Sequence, residues 1–163
     1  MTLRTRLETH VRQTFERVPP RKYAPHFLVY YDGSPTGLAA LREACEMAKP
    51  GTRITTVCLE PVPFDQEIPE DARVNNMRTQ AILAAAMVNA RLYNAEIETL
   101  ALACHSKGAA LVALATKQHN PVLFIGITEN EMQRKLDAFT EYVLALAPCK
   151  VVLVSALDKR IEE

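Results

Sequence analysis

A short uncharged apolar run, Phe27-Leu28-Val29-Tyr30-Tyr31, leads directly into Asp32-Gly33-Ser34-Pro35 and then into an amphipathic segment. Ser34 is a good helix cap, and Pro35 fits the first helical position, whose N–H has no intrahelical partner anyway. Leu38, Leu41, Cys45 and Ala48 recur at helical spacing, and Lys49-Pro50-Gly51 stops the run. A buried strand that feeds a capped helix through a tight turn opens a parallel α/β sheet. The loop at such a junction is where these sheets place ligands.

The alternation continues along the chain. The pattern predicts strands over 26–32, 53–59, 95–103, 122–125 and 151–154, with helices over 35–49, 70–94, 107–119 and 129–147. The segment 81–90 is Ala-rich and nearly uncharged, which predicts burial. Met132, Leu136, Phe139, Val143 and Leu146 step by four, three, four and three, as one face of a single helix. The third strand alternates Glu96 and Glu98 with Ile97 and Thr99, as at a sheet edge. These elements predict an α/β fold: an open doubly wound five-stranded parallel sheet in the order 3-2-1-4-5, with right-handed crossovers. The division expected is an N-terminal helical extension over 1–22 and one α/β domain over 23–163. The extension carries the stripe Leu3, Leu7, Val11 and Phe15 and ends at Pro19-Pro20; packing on its own subunit accounts for that stripe more simply than the alternatives, docking to an anionic partner or swapping across a dimer.

The formal charge is zero, so the overall balance speaks against nucleic acid or a membrane surface as partner. The charge is nevertheless segregated. Residues 1–22 hold six basic side chains against Glu8 and Glu16, whereas 60–71 holds five acids and no base. Two such segments attract one another or stand separately in water. No apolar run reaches a membrane span's length, and no signal-peptide core is visible at the start, so a cytoplasmic protein is expected. Cys45, Cys58, Cys104 and Cys149 stand singly in apolar segments and read as buried, reduced thiols.

In this strand order the topological switch point lies between strands one and four. The loops Asp32–Pro35 and Gly126–Glu129 meet there, which makes Asp32, Gly33, Gly126 and Thr128 the candidate binding residues. Asp32 can hydrogen-bond an adenine amine or a ribose hydroxyl, or it can simply form its own turn beside Gly33. A triphosphate needs more: several backbone N–H groups and glycines that let the chain approach closely. The five glycines include none after Gly126, while Glu129 and Glu131 bring negative charge to the same loop. The last strand, Val151–Val154, is wholly apolar at a sheet edge; a second copy of the chain is the expected cover, and the alternative is the polar tail or the N-terminal helix folded over the same edge.

This set of pieces resembles the universal stress protein family. The match is carried by Phe27-Leu-Val-Tyr-Tyr-Asp-Gly-Ser34 with the Ala-rich helix Leu38–Ala48, by Pro121-Val-Leu-Phe-Ile-Gly126, and by Glu141–Cys149 leading into Val-Val-Leu-Val. The resemblance covers 26–155 and implies a five-stranded α/β fold dimerising through the last strand. In the family's ATP-binding branch, strand four is followed by Gly, two residues, Gly, nine residues, then Gly and Ser or Thr. Gly126 matches the first position, but Glu129 holds the second. The third falls on Phe139-Thr140 or, with a shorter loop, on Asp137-Ala138. Asp32 matches the family's strand-one acid. The resemblance therefore implies a homodimeric, non-enzymatic regulatory or interaction protein with no cofactor and an unidentified protein partner. The alternative is a switch that binds ATP or AMP with slow or no hydrolysis. Cys104-His105 and His119 lack ligand spacing for a metal, and no G-x-S-x-G nucleophile motif occurs.

Overall fold

The structure is a computed structural model that describes residues 25–156. The predicted helix over 2–18, with the rest of the 1–22 extension, and the tail beyond Ala156 lie outside the described residues.

Five strands form one parallel sheet: β1 (His26–Tyr30), β2 (Arg53–Pro61), β3 (Glu98–Cys104), β4 (Val122–Thr128) and β5 (Val151–Ala156), in the order β3-β2-β1-β4-β5. Helices α1 (Pro35–Met47), α2 (Met77–Arg91), α3 (Lys107–Lys117), α4 (Glu129–Gln133) and α5 (Ala138–Leu146) complete the chain order. Because side chains alternate along each strand, the sheet builds two cores. Phe27, Val29, Phe124, Val152 and Val154 meet Leu41 and Ala44 of α1 and Ala86 and Ala90 of α2 on one face. Leu28, Tyr30, Leu123, Ile125, Val151 and Leu153 meet Leu111 of α3 and Val143 of α5 on the other. The predicted doubly wound architecture and strand order are thus those observed.

The first junction forms as its residues dictate. Ser34 caps α1 by accepting from the Gly37 N–H at 3.1 Å, and Pro35 opens the helix. Gly33 has φ +85°, a left-handed conformation that suits glycine. Gly126 meets a steric demand of another kind. A Cβ built there would lie 1.8 Å from the Thr36 carbonyl oxygen, so the first turn of α1 rests directly on the β4 backbone.

Several expected ends shift by two or three residues, β3 beginning at Glu98 so that Glu96 and Ile97 precede the strand, and three further changes alter the path of the chain. β4 continues through Thr128, with Gly126, Ile127 and Thr128 paired to Val154, Ser155 and Ala156, so the expected loop after Gly126 is strand. Ile127 is 1% exposed, and its burial holds the extension in place. The helix expected over 129–147 is two helices. Asp137 accepts from the Thr140 N–H at 2.7 Å and caps α5, so the preceding residues leave the helix. The helix expected from Glu70 starts at Met77, capped by Asn76, whose Oδ1 accepts from the Thr79 N–H at 2.9 Å. The stretch ahead of it pairs instead with the free edge of β3. Arg73 bridges Leu102 antiparallel, Val74 N–H donates to the Ala101 carbonyl and Ala103 N–H to that of Ala72.

The Ala-rich part of α2 is not buried as a whole. Leu83, Ala86 and Ala90 face the sheet, while Ala81, Ala84, Ala85 and Val88 are exposed, and Leu146 at the end of α5 is exposed too. A low-charge composition does not say on which side of a helix the sheet lies. Burial keeps the cysteine thiols protonated: Cys45 and Cys149 are pushed up to about 11, and Cys58 and Cys104 also rise. Cys45, Cys58 and Cys104 are buried and Cys149 is half-buried, and all four are free thiols.

Because the Thr36 carbonyl is backbone, it cannot swing away from an added methyl group. Gly126→Ala is expected to destabilise the fold by about 3 kcal/mol or more, a large share of the roughly 5–15 kcal/mol typical of a domain. A urea-unfolding midpoint well below that of the parent is the expected result, and an unchanged midpoint contradicts the close approach.

Candidate functional site

A cleft of about 200 Å³ opens beyond the carboxyl ends of β1 and β4, at the switch point of the strand order. Its walls come from five places. Tyr30 ends β1 and Asp32 follows it, Thr36 and Gly37 begin α1, Lys107 begins α3, Ile125 and Gly126 belong to β4, and Glu131, Asp137, Phe139 and Thr140 come from the α4–α5 region. All these helices start at the same end of the sheet because each follows a parallel strand.

Of the four sequence candidates, Asp32 and Gly126 line this cleft and Gly33 and Thr128 do not. Thr128 is engaged locally: its hydroxyl accepts from the Glu131 N–H at 3.1 Å and caps α4. Asp32 forms its own turn. Its Oδ1 accepts from the Ser34 N–H at 3.0 Å and from the Ser34 hydroxyl, and Ser34 also bonds the Thr36 hydroxyl at 2.9 Å. That oxygen is committed to shaping the loop, which is one of the two readings its position allowed. Glu129 is not among the lining residues, whereas Glu131 and Asp137 are. The break between α4 and α5 sets those two acids at the mouth. Periodicity alone hid this, because the apolar spacing stays in phase across the break. Lys107 also escaped the sequence reading. Its signal was available, since the start of any helix after a parallel strand lies at the ligand end of the sheet.

The electrostatics of the cleft are set by three carboxylates, Asp32, Glu131 and Asp137, against one ammonium, Lys107. Partial burial and the nearby Asp137 charge raise the proton affinity of Glu131, partly offset by its hydrogen bond at Thr128. Tyr30 is 8% exposed and its ring centroid lies 4.8 Å from that of Phe139. Burial, then the Asp32 charge, pushes its hydroxyl well above the usual phenol range, so it stays a neutral donor. The cleft therefore presents hydroxyls, an aromatic wall and net negative charge.

His105 lies nearby in sequence but has a packing role. Its ring stacks on Phe64 with centroids 5.2 Å apart and its Nδ1 lies 3.3 Å from the Val62 carbonyl oxygen. Among the described residues, no three His, Cys, Asp or Glu side chains are grouped to hold a metal ion, and no helix is long and apolar enough to cross a membrane.

Comparison with solved structures finds the same architecture repeatedly. A universal stress protein in complex with cAMP superposes with a TM-score of 0.63 at 19% identity, over 83% of this chain and 100% of that one. The universal stress protein from Archaeoglobus fulgidus in complex with dAMP gives 0.61 at 19% identity, over 82% and 99%. A universal stress protein family member from Arabidopsis thaliana with AMP bound gives 0.62 at 12% identity, over 82% and 92%. At such identities the likeness establishes the fold. Comparison with proteins of curated function returns no match. The universal stress protein family model matches residues 25–155, the whole of the sheet with its helices. This chain belongs to the universal stress protein family.

Proposed function

We propose that this protein is a non-enzymatic regulatory or interaction module that works as a cytoplasmic homodimer and holds no ATP. The observation that carries this reading is the charge of the cleft: Glu131 and Asp137 add two carboxylates to that of Asp32, against the single lysine Lys107 among the lining residues. A triphosphate brings about four negative charges into that field. Each additional like charge at about 4 Å costs on the order of 1 kcal/mol even in water, and more where the site is partly dry. The chain after Gly126 supplies no glycine to let backbone N–H groups close around phosphate oxygens.

The dimer reading rests on the unequal treatment of the two sheet edges. The β3 edge is paired by Ala72–Val74, whereas β5 pairs only with β4 among the described residues. Val151–Val154 are buried under α1 and α5, so it is the backbone of this edge that stands open. Leu144 and Leu146, just ahead of β5, are 37% and 55% exposed. A second copy pairing along Val151–Val154 covers both features.

A second reading has one specific support: the similar structures with cAMP, dAMP and AMP carry ligands with one phosphate. One phosphate opposite Lys107, with the base toward the Tyr30 and Phe139 wall, asks far less of this cleft than three. Thermal unfolding separates the readings, since a ligand held only by the native state raises Tm. With ATP and Mg²⁺ at millimolar concentration no rise is expected, and a rise of several degrees overturns the proposal. A rise with AMP alone supports the second reading.

Neutralising the two mouth acids provides a sharper comparison. Asp137→Asn keeps a side-chain oxygen to cap α5, and Glu131→Gln keeps the shape of the wall. The double variant is expected to bind ATP about tenfold or more tightly than the parent by calorimetry. Unchanged binding places the obstacle elsewhere. Sedimentation equilibrium is expected to give twice the 18.2 kDa chain mass, with Leu146→Asp shifting the protein toward monomer.

A further inference from the structure

The outward face of α2 is apolar and is exposed among the described residues. Met77 is 91% exposed, Val88 59% and Leu92, just past the helix end, 73%, with Ala81, Ala84 and Ala85 exposed between them. These positions recur every three or four residues and so form one stripe along the whole helix. The opposite face is the one packed on the sheet, where Leu83 meets Cys58 and Ala101. A helix apolar on both sides is normally covered on both.

Residues 1–24 carry a matching pattern. We propose that residues 2–18 form a helix that lies along this stripe in the same subunit, parallel to α2. Leu3 sits by Met77, Leu7 and Val11 sit over Ala81, Ala84 and Ala85, and Phe15 sits by Val88 and Leu92.

Four observations converge on this occupant. The first is length. α2 has 15 residues, about 22 Å at helical rise, and a helix over 2–18 spans about 25 Å. The second is attachment. α2 runs from the carboxyl end of β2 to the amino end of β3, so its last turn lies at the amino ends of the strands. Pro25 is at that same end, where its carbonyl accepts from the Arg53 N–H at 2.9 Å. The chain between residue 18 and Pro25 reaches up to about 20 Å, enough to pass from β1 to α2. The third is charge. In this direction Arg4 and Arg6 arrive at the start of α2, beside the acidic segment Glu60, Asp65, Glu67, Glu70 and Asp71. Asn76, which caps α2, donates to Glu60 at 2.6 Å and ties that segment to the helix start. The fourth is shape. Large side chains at 7 and 11 face alanines at 81, 84 and 85, which lets two helices approach closely.

The β5 edge is a poorer seat for the same segment. Its open groups are backbone N–H and C=O, which an apolar helical stripe cannot satisfy. A second copy of α2 would bring Arg78 and Arg91 against their own duplicates and leave the acidic segment unanswered.

Two measurements on the full-length chain test the proposal. Peroxide oxidation, read methionine by methionine in the mass spectrometer, reports the cover directly, with half-buried Met47 of α1 as internal reference. Met77 is expected to oxidise at least fivefold more slowly in the parent than in Leu3→Asp, with the milder Leu3→Ser in between. Equal Met77 rates in all three proteins overturn the proposal. So does protection that disappears on dilution, because a second molecule is then the cover. In urea unfolding, Phe15→Ala and Val88→Ala together are expected to lower the midpoint by less than the sum of the single losses. Strictly additive losses overturn the contact.

Discussion

The close seating of α1 on β4 at Gly126 governs the rest of the site. With no side chain at 126, the Thr36 carbonyl comes to a distance that even a methyl group would forbid. That contact draws the Asp32–Thr36 turn down onto the end of β4 and brings the ends of β1 and β4, the α3 start and the α4–α5 break around one cleft. A glycine that resembles the opening of a phosphate loop is here explained by helix–strand packing alone. Its presence therefore says little about nucleotide binding, and the decision passes to the charges around it.

Those charges are arranged by helix capping. Asp137 caps the start of α5 and Glu131 lies in the first turn of α4, so residues that open the two helices also set the polarity of the mouth. Each acid is favourable for its own helix, because a negative charge complements the positive end of the helix dipole. The same placement discourages an anion from entering. Local helix stability and phosphate affinity thus compete for one surface, and in this chain the side chains satisfy the helices. The fold is that of universal stress proteins.

Much of this was legible before any coordinates. The run from Phe27 to Ala48 specified a strand, a turn and a capped helix by residue type alone, and the alternation of later segments specified the sheet and its order. Asp32 and Gly126 line the cleft, and topology alone dictates where the switch point lies. Other features depend on tertiary information. The break at Asp137 was invisible because Met132, Leu136, Phe139 and Val143 keep a helical period across it. The Ala-rich stretch of α2 looked buried all round because alanine is compatible with either environment. Lys107 was overlooked because a single lysine at a helix start carries no local pattern, and only the gathering of helix starts at one end of the sheet gives it a role.

The central proposal is that the negative field of this cleft, where Glu131 and Asp137 add to Asp32, keeps a triphosphate out. Equilibrium dialysis of the purified protein against labelled ATP with Mg²⁺ at low ionic strength tests it most directly. The account predicts no more label on the protein side than a non-binding control retains. Retention approaching one ATP per chain contradicts it.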